Sequence, residues 1–109
     1  MFIDDCIKGT KKIFESDCRD VLNIGSEEQV SINQMIKVIE DISGYKVEKN
    51  YQLEKPKGVR GRSSNNDLVR EKLQWDFEIS LKNGLEITYK WIEKEIAKKL
   101  NNNKFTIKY

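Results

Sequence analysis

Pro56-Lys57-Gly58-Val59-Arg60-Gly61-Arg62-Ser63-Ser64-Asn65-Asn66 is the stretch whose reading decides what kind of chain this is. From Lys55 to Arg62 there are four basic side chains and no acidic one, and Gly58 and Gly61 let the backbone fold closely around an anion. Arginine in such a loop can engage two phosphate oxygens at once, so the segment points to phosphate or diphosphate recognition. The residues alone leave open a plain solvated surface loop, in which glycine and arginine only favour solubility.

Working outward from the loop, Asn66 or Asp67 is placed to cap a short helix carrying Leu68, Val69, Lys72 and Leu73, and Trp75 follows as a large apolar anchor. Ser80 reads as the cap of a last helix. Leu81, Leu85, Thr88, Trp91, Ile92 and Ile96 share one side of it, while Lys90, Glu93, Lys94, Lys98 and Lys99 form its solvated face. On the other side of the loop, Ser31 with Gln34 three residues later has the form of a capping box, and Ile32, Met35, Ile36, Ile39 and Ile42 continue at helical spacing to Gly44, a left-handed stop. Nearer the N-terminus a helix is expected from about Asp4 to Glu15, with Asp4 and Asp5 suited to cap it and Ile3, Ile7, Ile13 and Phe14 on a buried face. Short strands are expected at Phe2-Ile3, at Val21 to Ile24 and around Val47 to Leu53, with a tail strand from Phe105 to Tyr109. Both Trp75 and Trp91 read as core anchors rather than as stacking platforms.

Composition narrows the function. In 109 residues there is room for one modest domain, with the tail from residue 101 onward less regular. Twenty Lys and Arg against eighteen Asp and Glu leave a net charge of +2, which gives little support to nucleic-acid binding. Mean hydropathy is −0.69, and no apolar run approaches the roughly 20 residues of a membrane span, so a soluble, cytoplasmic chain is expected. The two cysteines, Cys6 and Cys18, lack the paired spacing of a metal knuckle or redox motif, and packing explains them. Histidine is absent, which removes the commonest general base and every Ser/His or Cys/His catalytic arrangement.

Several segments together carry a family resemblance. They are Phe2-Ile3-Asp4-Asp5-Cys6, Leu22-Asn23-Ile24-Gly25-Ser26, Val30-Ser31-Ile32-Asn33, Gly58-Val59-Arg60-Gly61-Arg62, Glu71-Lys72-Leu73-Gln74-Trp75, and Gly84-Leu85 with Thr88-Tyr89-Lys90-Trp91-Ile92. In this order they resemble the C-terminal part of an extended short-chain dehydrogenase/reductase, and within that superfamily the GDP-mannose 3,5-epimerase family of NAD-dependent epimerases and dehydratases. The match runs over about residues 2 to 97. Gly58 to Arg62 with Ser64 and Asn66 is its most specific part. Asn65, where many relatives have aspartate, and Gln74, where many have glycine, depart from the pattern.

The resemblance implies an α/β protein, α+β in isolation: the small substrate-binding region with about four helices and short strands, its doubly wound NAD domain absent from residues 1–109. It implies a nucleotide sugar like GDP-mannose as partner, with Arg60 first and Arg62 second on the diphosphate and Gly58, Val59 and Lys57 beside them. Tyr109 stands where a tail tyrosine approaches substrate in such relatives. NAD would serve the full-length family, by transient oxidation of the sugar, but no cofactor belongs to this chain, because the glycine fingerprint is missing. Tyr45 with Lys49 and Tyr51 with Lys55 have the family's catalytic spacing but lie after the glycine-capped helix rather than within a long one, and read as chance. No catalytic residue is therefore expected here. The competing expectation is a non-enzymatic module that associates with itself through apolar surface the missing half would cover. RNA binding through Lys57, Arg60 and Arg62 is a weaker third, disfavoured by the near-neutral charge.

Overall fold

Four helices order the chain: α1 Ile3–Glu15, α2 Ile32–Ser43, α3 Asp67–Leu73 and α4 Leu81–Asn101. The computed structural model describes residues 1–101, so the expected tail strand and Tyr109 lie outside the described residues. Helix α2 forms as its sequence demands. The Ser31 hydroxyl accepts from the Gln34 amide at 3.2 Å while the Gln34 side chain accepts from the Ser31 amide at 2.7 Å. At the other end Gly44 sits at φ 75°, a left-handed position that glycine adopts without a Cβ penalty. Helix α4 begins at the expected cap, with Ser80 Oγ accepting from the Asn83 amide at 3.2 Å, and it packs against α2.

The expected short strands form no ladder among the described residues; those segments are irregular, apart from Ile3, which is already helical. A strand needs an edge to pair with, and the 21–26 segment meets the 59–66 segment through one backbone bond, from the Ser64 amide to the Ser26 carbonyl at 3.1 Å. The segment around Val47 to Leu53 is exposed along its whole length.

Helix α1 departs from expectation in a second way. Phe2 occupies its cap position without a side-chain bond, and Asp5 is not a cap. The Asp5 carboxylate is fully buried, where Oδ2 accepts from the Ile79 amide at 2.9 Å. Gly9, one turn further on, faces Trp75 so closely that a Cβ there would stand 2.7 Å from the indole. Asp5 and Gly9 therefore form the buried face. Ile7, some 200° around the helix from Gly9 at about 100° per residue, is 58% exposed, and Phe14 is 88% exposed. The apolar stripe is real, but it points to solvent.

The same holds for the outer half of α4. Leu81 and Leu85 are half-buried, whereas Trp91, expected as a core anchor, is 62% exposed, and Ile92 and Ile96 are exposed too. Among the described residues the buried apolar side chains are Val69 and Trp75. Trp75, also expected as an anchor, is one. It is reached by a turn in which Gln74 takes φ 48°, a left-handed position at the end of α3 where relatives of the resembled family commonly carry glycine.

Gly9→Ala tests the Trp75 contact. Alanine normally favours a helix over glycine by about 1 kcal/mol. Overpacking a rigid indole costs about 1–3 kcal/mol and should win. The variant is expected to unfold at lower urea concentration than the parent, and a higher midpoint would show that Trp75 does not seal against α1.

Candidate functional site

The basic loop is held at its C-terminal end by a buried asparagine. Asn66 is fully buried, donates through Nδ2 to the Gly25 carbonyl at 2.7 Å and accepts through Oδ1 from the Ser64 hydroxyl at 2.7 Å. Its side chain is thus not the α3 cap it was expected to be, although the residue stands at that position. Asn65 supplies the local turn instead, its Oδ1 accepting from the Asp67 amide at 2.9 Å.

The Asn66 backbone amide donates to Glu27 Oε1 at 3.2 Å, and Glu27 is gripped in turn by Arg70. The guanidinium donates to both Glu27 oxygens, at 2.9 and 2.7 Å, and through Nε to Asp76 Oδ2 at 2.6 Å, with a longer contact to Asp67 at 3.3 Å. These hydrogen bonds hold the Glu27 carboxyl below its ordinary range, the Arg70 bond first and the Asn66 amide second. Arg70 likewise lowers Asp76, and the two carboxylates raise Arg70. Forty-three residues separate Glu27 from Arg70, and no periodicity or motif spacing marks such a pair. Sequence reading missed the Glu27–Arg70 pair for that reason.

Beside this anchor lies a half-open cavity of about 310 Å³. Phe2, Leu81, Leu85 and Val30 supply apolar wall, and Gln29 and Arg62 stand among its polar groups. Gln29 lies over the loop backbone, since a Cβ on Gly61 would meet its Nε2 at 2.6 Å. Glu28 Oε2 accepts from the Leu81 amide at 2.6 Å, joining the 26–30 segment to the start of α4. Of the predicted site residues, Arg62 lines the cavity, as does Gly61 of the same loop. Lys57, Gly58, Val59 and Arg60 are exposed and outside its lining, and Tyr109 is not described. Neither loop glycine takes a positive φ: a Cβ on Gly61 would meet only the movable end of the Gln29 side chain, and nothing approaches the position of a Cβ on Gly58.

The described residues contain no cluster of three or more His, Cys, Asp or Glu able to hold a metal. No described helix is long and apolar enough to cross a membrane. Among the described residues there is no strand–glycine turn–helix unit of the kind that receives a dinucleotide's pyrophosphate.

No family model matches the chain. It is 43% identical over 97 residues to GDP-mannose 3,5-epimerase of Arabidopsis thaliana, a match covering 89% of this chain and 26% of the relative. It is 28% identical to UDP-glucuronate 4-epimerase of Thermodesulfobacterium geofontis (strain OPF15), over 87% of this chain and 30% of the relative. Among solved structures, UDP-glucuronic acid 4-epimerase from Bacillus cereus, in complex with UDP-glucuronic acid and NAD, superposes with a TM-score of 0.78 at 34% identity, covering 87% of this chain and 31% of that one. The chain spans between a quarter and a third of the length of these relatives. These relatives are extended short-chain dehydrogenase/reductases, and this chain matches their C-terminal part. Within them its similarity is to the NAD-dependent sugar-nucleotide epimerases, GDP-mannose 3,5-epimerase included.

The ion network gives the chain an acid sensitivity of known sign. Glu27 and Asp76 are depressed from ordinary values of 4.5 and 3.8, so their stabilisation is present above those values and is lost as pH falls through the lower folded ones. The urea midpoint should drop on acidification below about pH 4.5. Arg70→Ala should be less stable at pH 7 and lose less on the same acidification; an equal loss in both proteins would place the acid-sensitive groups elsewhere.

Proposed function

We propose that this chain is the nucleotide-sugar-binding C-terminal portion of a GDP-mannose 3,5-epimerase-like protein, with the basic loop holding the diphosphate. The observation that carries the reading is the approach of Arg62, from the segment most specific to the family resemblance, to a 310 Å³ cavity whose other walls are largely apolar. A guanidinium at the lip can pair with two phosphate oxygens, while the apolar wall suits the rest of a nucleotide. Arg60 and Lys57, outside the cavity, add positive potential that draws in the anion. Arg60 serves as the second diphosphate contact once a ligand lies along the loop, with Gly58 and Val59 beside it, and the family resemblance adds Tyr109 as a substrate contact.

The residues of this chain bind and orient; they do not carry out the epimerisation. There is no histidine, and no described helix contains a Tyr-x-x-x-Lys pair. NAD, which the family uses for the redox chemistry, is met by residues that this sequence does not contain. The working location under this reading is the cytoplasm, with which the lack of a membrane-spanning helix among the described residues is consistent.

Calorimetric titration with GDP tests the reading. Arg62→Gln is expected to weaken binding about tenfold, the order of one charged hydrogen-bonded contact, and Arg60→Gln by less. Unchanged affinity in both would remove the loop from the site. Incubation of the chain with NAD and GDP-mannose should give no turnover, and turnover would overturn the non-catalytic assignment.

The second reading, a self-associating module without a ligand, is favoured by one observation. The chain exposes 9541 Å², against about 6300 Å² expected for a folded monomer of its mass, and Ile3, Ile7, Phe14, Trp91 and Ile92 are among the exposed residues. Under this reading, light scattering finds a dimer or larger oligomer and titration finds no GDP binding. A monomer that binds GDP excludes it.

A further inference from the structure

We infer that Glu27 is a positioning residue for the basic loop, setting through the Asn66 amide and Arg70 where Arg62 meets the cavity. The inference rests on the nucleotide reading for the identity of the ligand, and on geometry for the rest.

Residues 56–63 make no hydrogen bond to any described residue, so nothing within the loop fixes its path. Its position is imposed at two points. One is the Gln29 side chain lying over Gly61. The other is the anchor at 64–66, where the Ser64 amide donates to the Ser26 carbonyl at 3.1 Å and Asn66 joins both Gly25 and Glu27. The first contact is a flexible side chain that can swing away. The second is rigid, because each partner is itself tied down.

Glu27 is what makes it rigid. One of its oxygens, Oε1, receives both the Asn66 amide and an Arg70 nitrogen, while Oε2 receives the other Arg70 nitrogen. Such a forked pair fixes the plane of the carboxylate as well as its distance. Arg70 is simultaneously fastened to Asp76, beyond the end of α3. The 25–28 segment, the loop end and α3 are therefore locked as one body, with Arg62 four residues from the lock. Neutralising Glu27 leaves Arg70 its bond to Asp76, so α3 keeps its own fastening while the loop loses its register against the 25–28 segment.

The test uses the full chain with three variants. In Glu27→Gln the Ser64 amide, whose own acceptor is Ser26, should lose at least tenfold of its hydrogen-exchange protection while α2 and α4 amides keep theirs. GDP affinity should fall about tenfold in the same protein. Arg70→Lys, which keeps the charge but not the fork, should fall between parent and Glu27→Gln on both measurements. Glu78→Gln, which removes the exposed Lys8 pair at 2.9 Å, should change neither. Unaltered Ser64 protection in Glu27→Gln, or a loss spread equally over α2 and α4, overturns the inference. So does a loosened loop with undiminished GDP affinity. If the parent itself binds no GDP, the nucleotide reading fails, and Ser64 protection alone decides whether Glu27 sets the loop.

Discussion

One guanidinium ties together parts of the chain that have little else in common. Arg70 donates to Glu27, Asp67 and Asp76, and through Glu27 it reaches the backbone at Asn66. Exposed ion pairs contribute little singly, because water screens them and long side chains lose freedom. This group differs in geometry: one rigid donor fork serves several acceptors, and Glu27 and Asp76 each also accept a backbone amide. Where so few apolar side chains are buried, polar restraints of this kind decide the paths of the irregular segments. The basic loop, which has no hydrogen bonds to described residues, inherits its position from them.

The second restraint is steric. Trp75 is placed by the left-handed turn at Gln74 and closes on Gly9 of α1, while the Asp5 carboxylate one turn earlier receives the Ile79 amide. Lys12 adds a bond to the Leu73 carbonyl at 3.2 Å and Lys8 pairs with Glu78, so α1 is fastened along the 73–79 segment by its polar and small side. Its apolar side is left outward. Ile3, Ile7 and Phe14 are exposed on that side.

Legibility in the sequence followed the range of the interaction. Helix α2 could be read almost to the residue, since its capping box and glycine stop act within four positions. The start of α4 at Ser80 was legible for the same reason. Trp75 was legible as an anchor, but Trp91 was not legible as exposed, because spacing alone marks an apolar face without saying what covers it. The strand expectations failed in a related way. Alternation at Val21 to Ile24 describes a chain ready to pair, and a ladder requires an edge that the described residues do not provide. Of the cavity lining, Arg62 lies in the loop that the family resemblance singled out, though that resemblance put Arg60 first, and Phe2, Leu81 and Leu85 carried no signal as cavity wall.

By itself, then, the sequence determined the helices, the caps of α2 and the start of α4, the cationic loop and the kinship with sugar-nucleotide epimerases, since all of these reside in short runs of residues. The tertiary structure alone decided which faces are buried, that Asp5 serves as an acceptor inside the fold and not as a cap, that Arg62 rather than Arg60 lines the cavity, and that Asn66 is a buried tie. These depend on meetings between residues far apart in the chain, 39 positions for Glu27 with Asn66 and 74 for Asp5 with Ile79, or on the absence of a covering surface, and neither leaves a periodic trace in the chain.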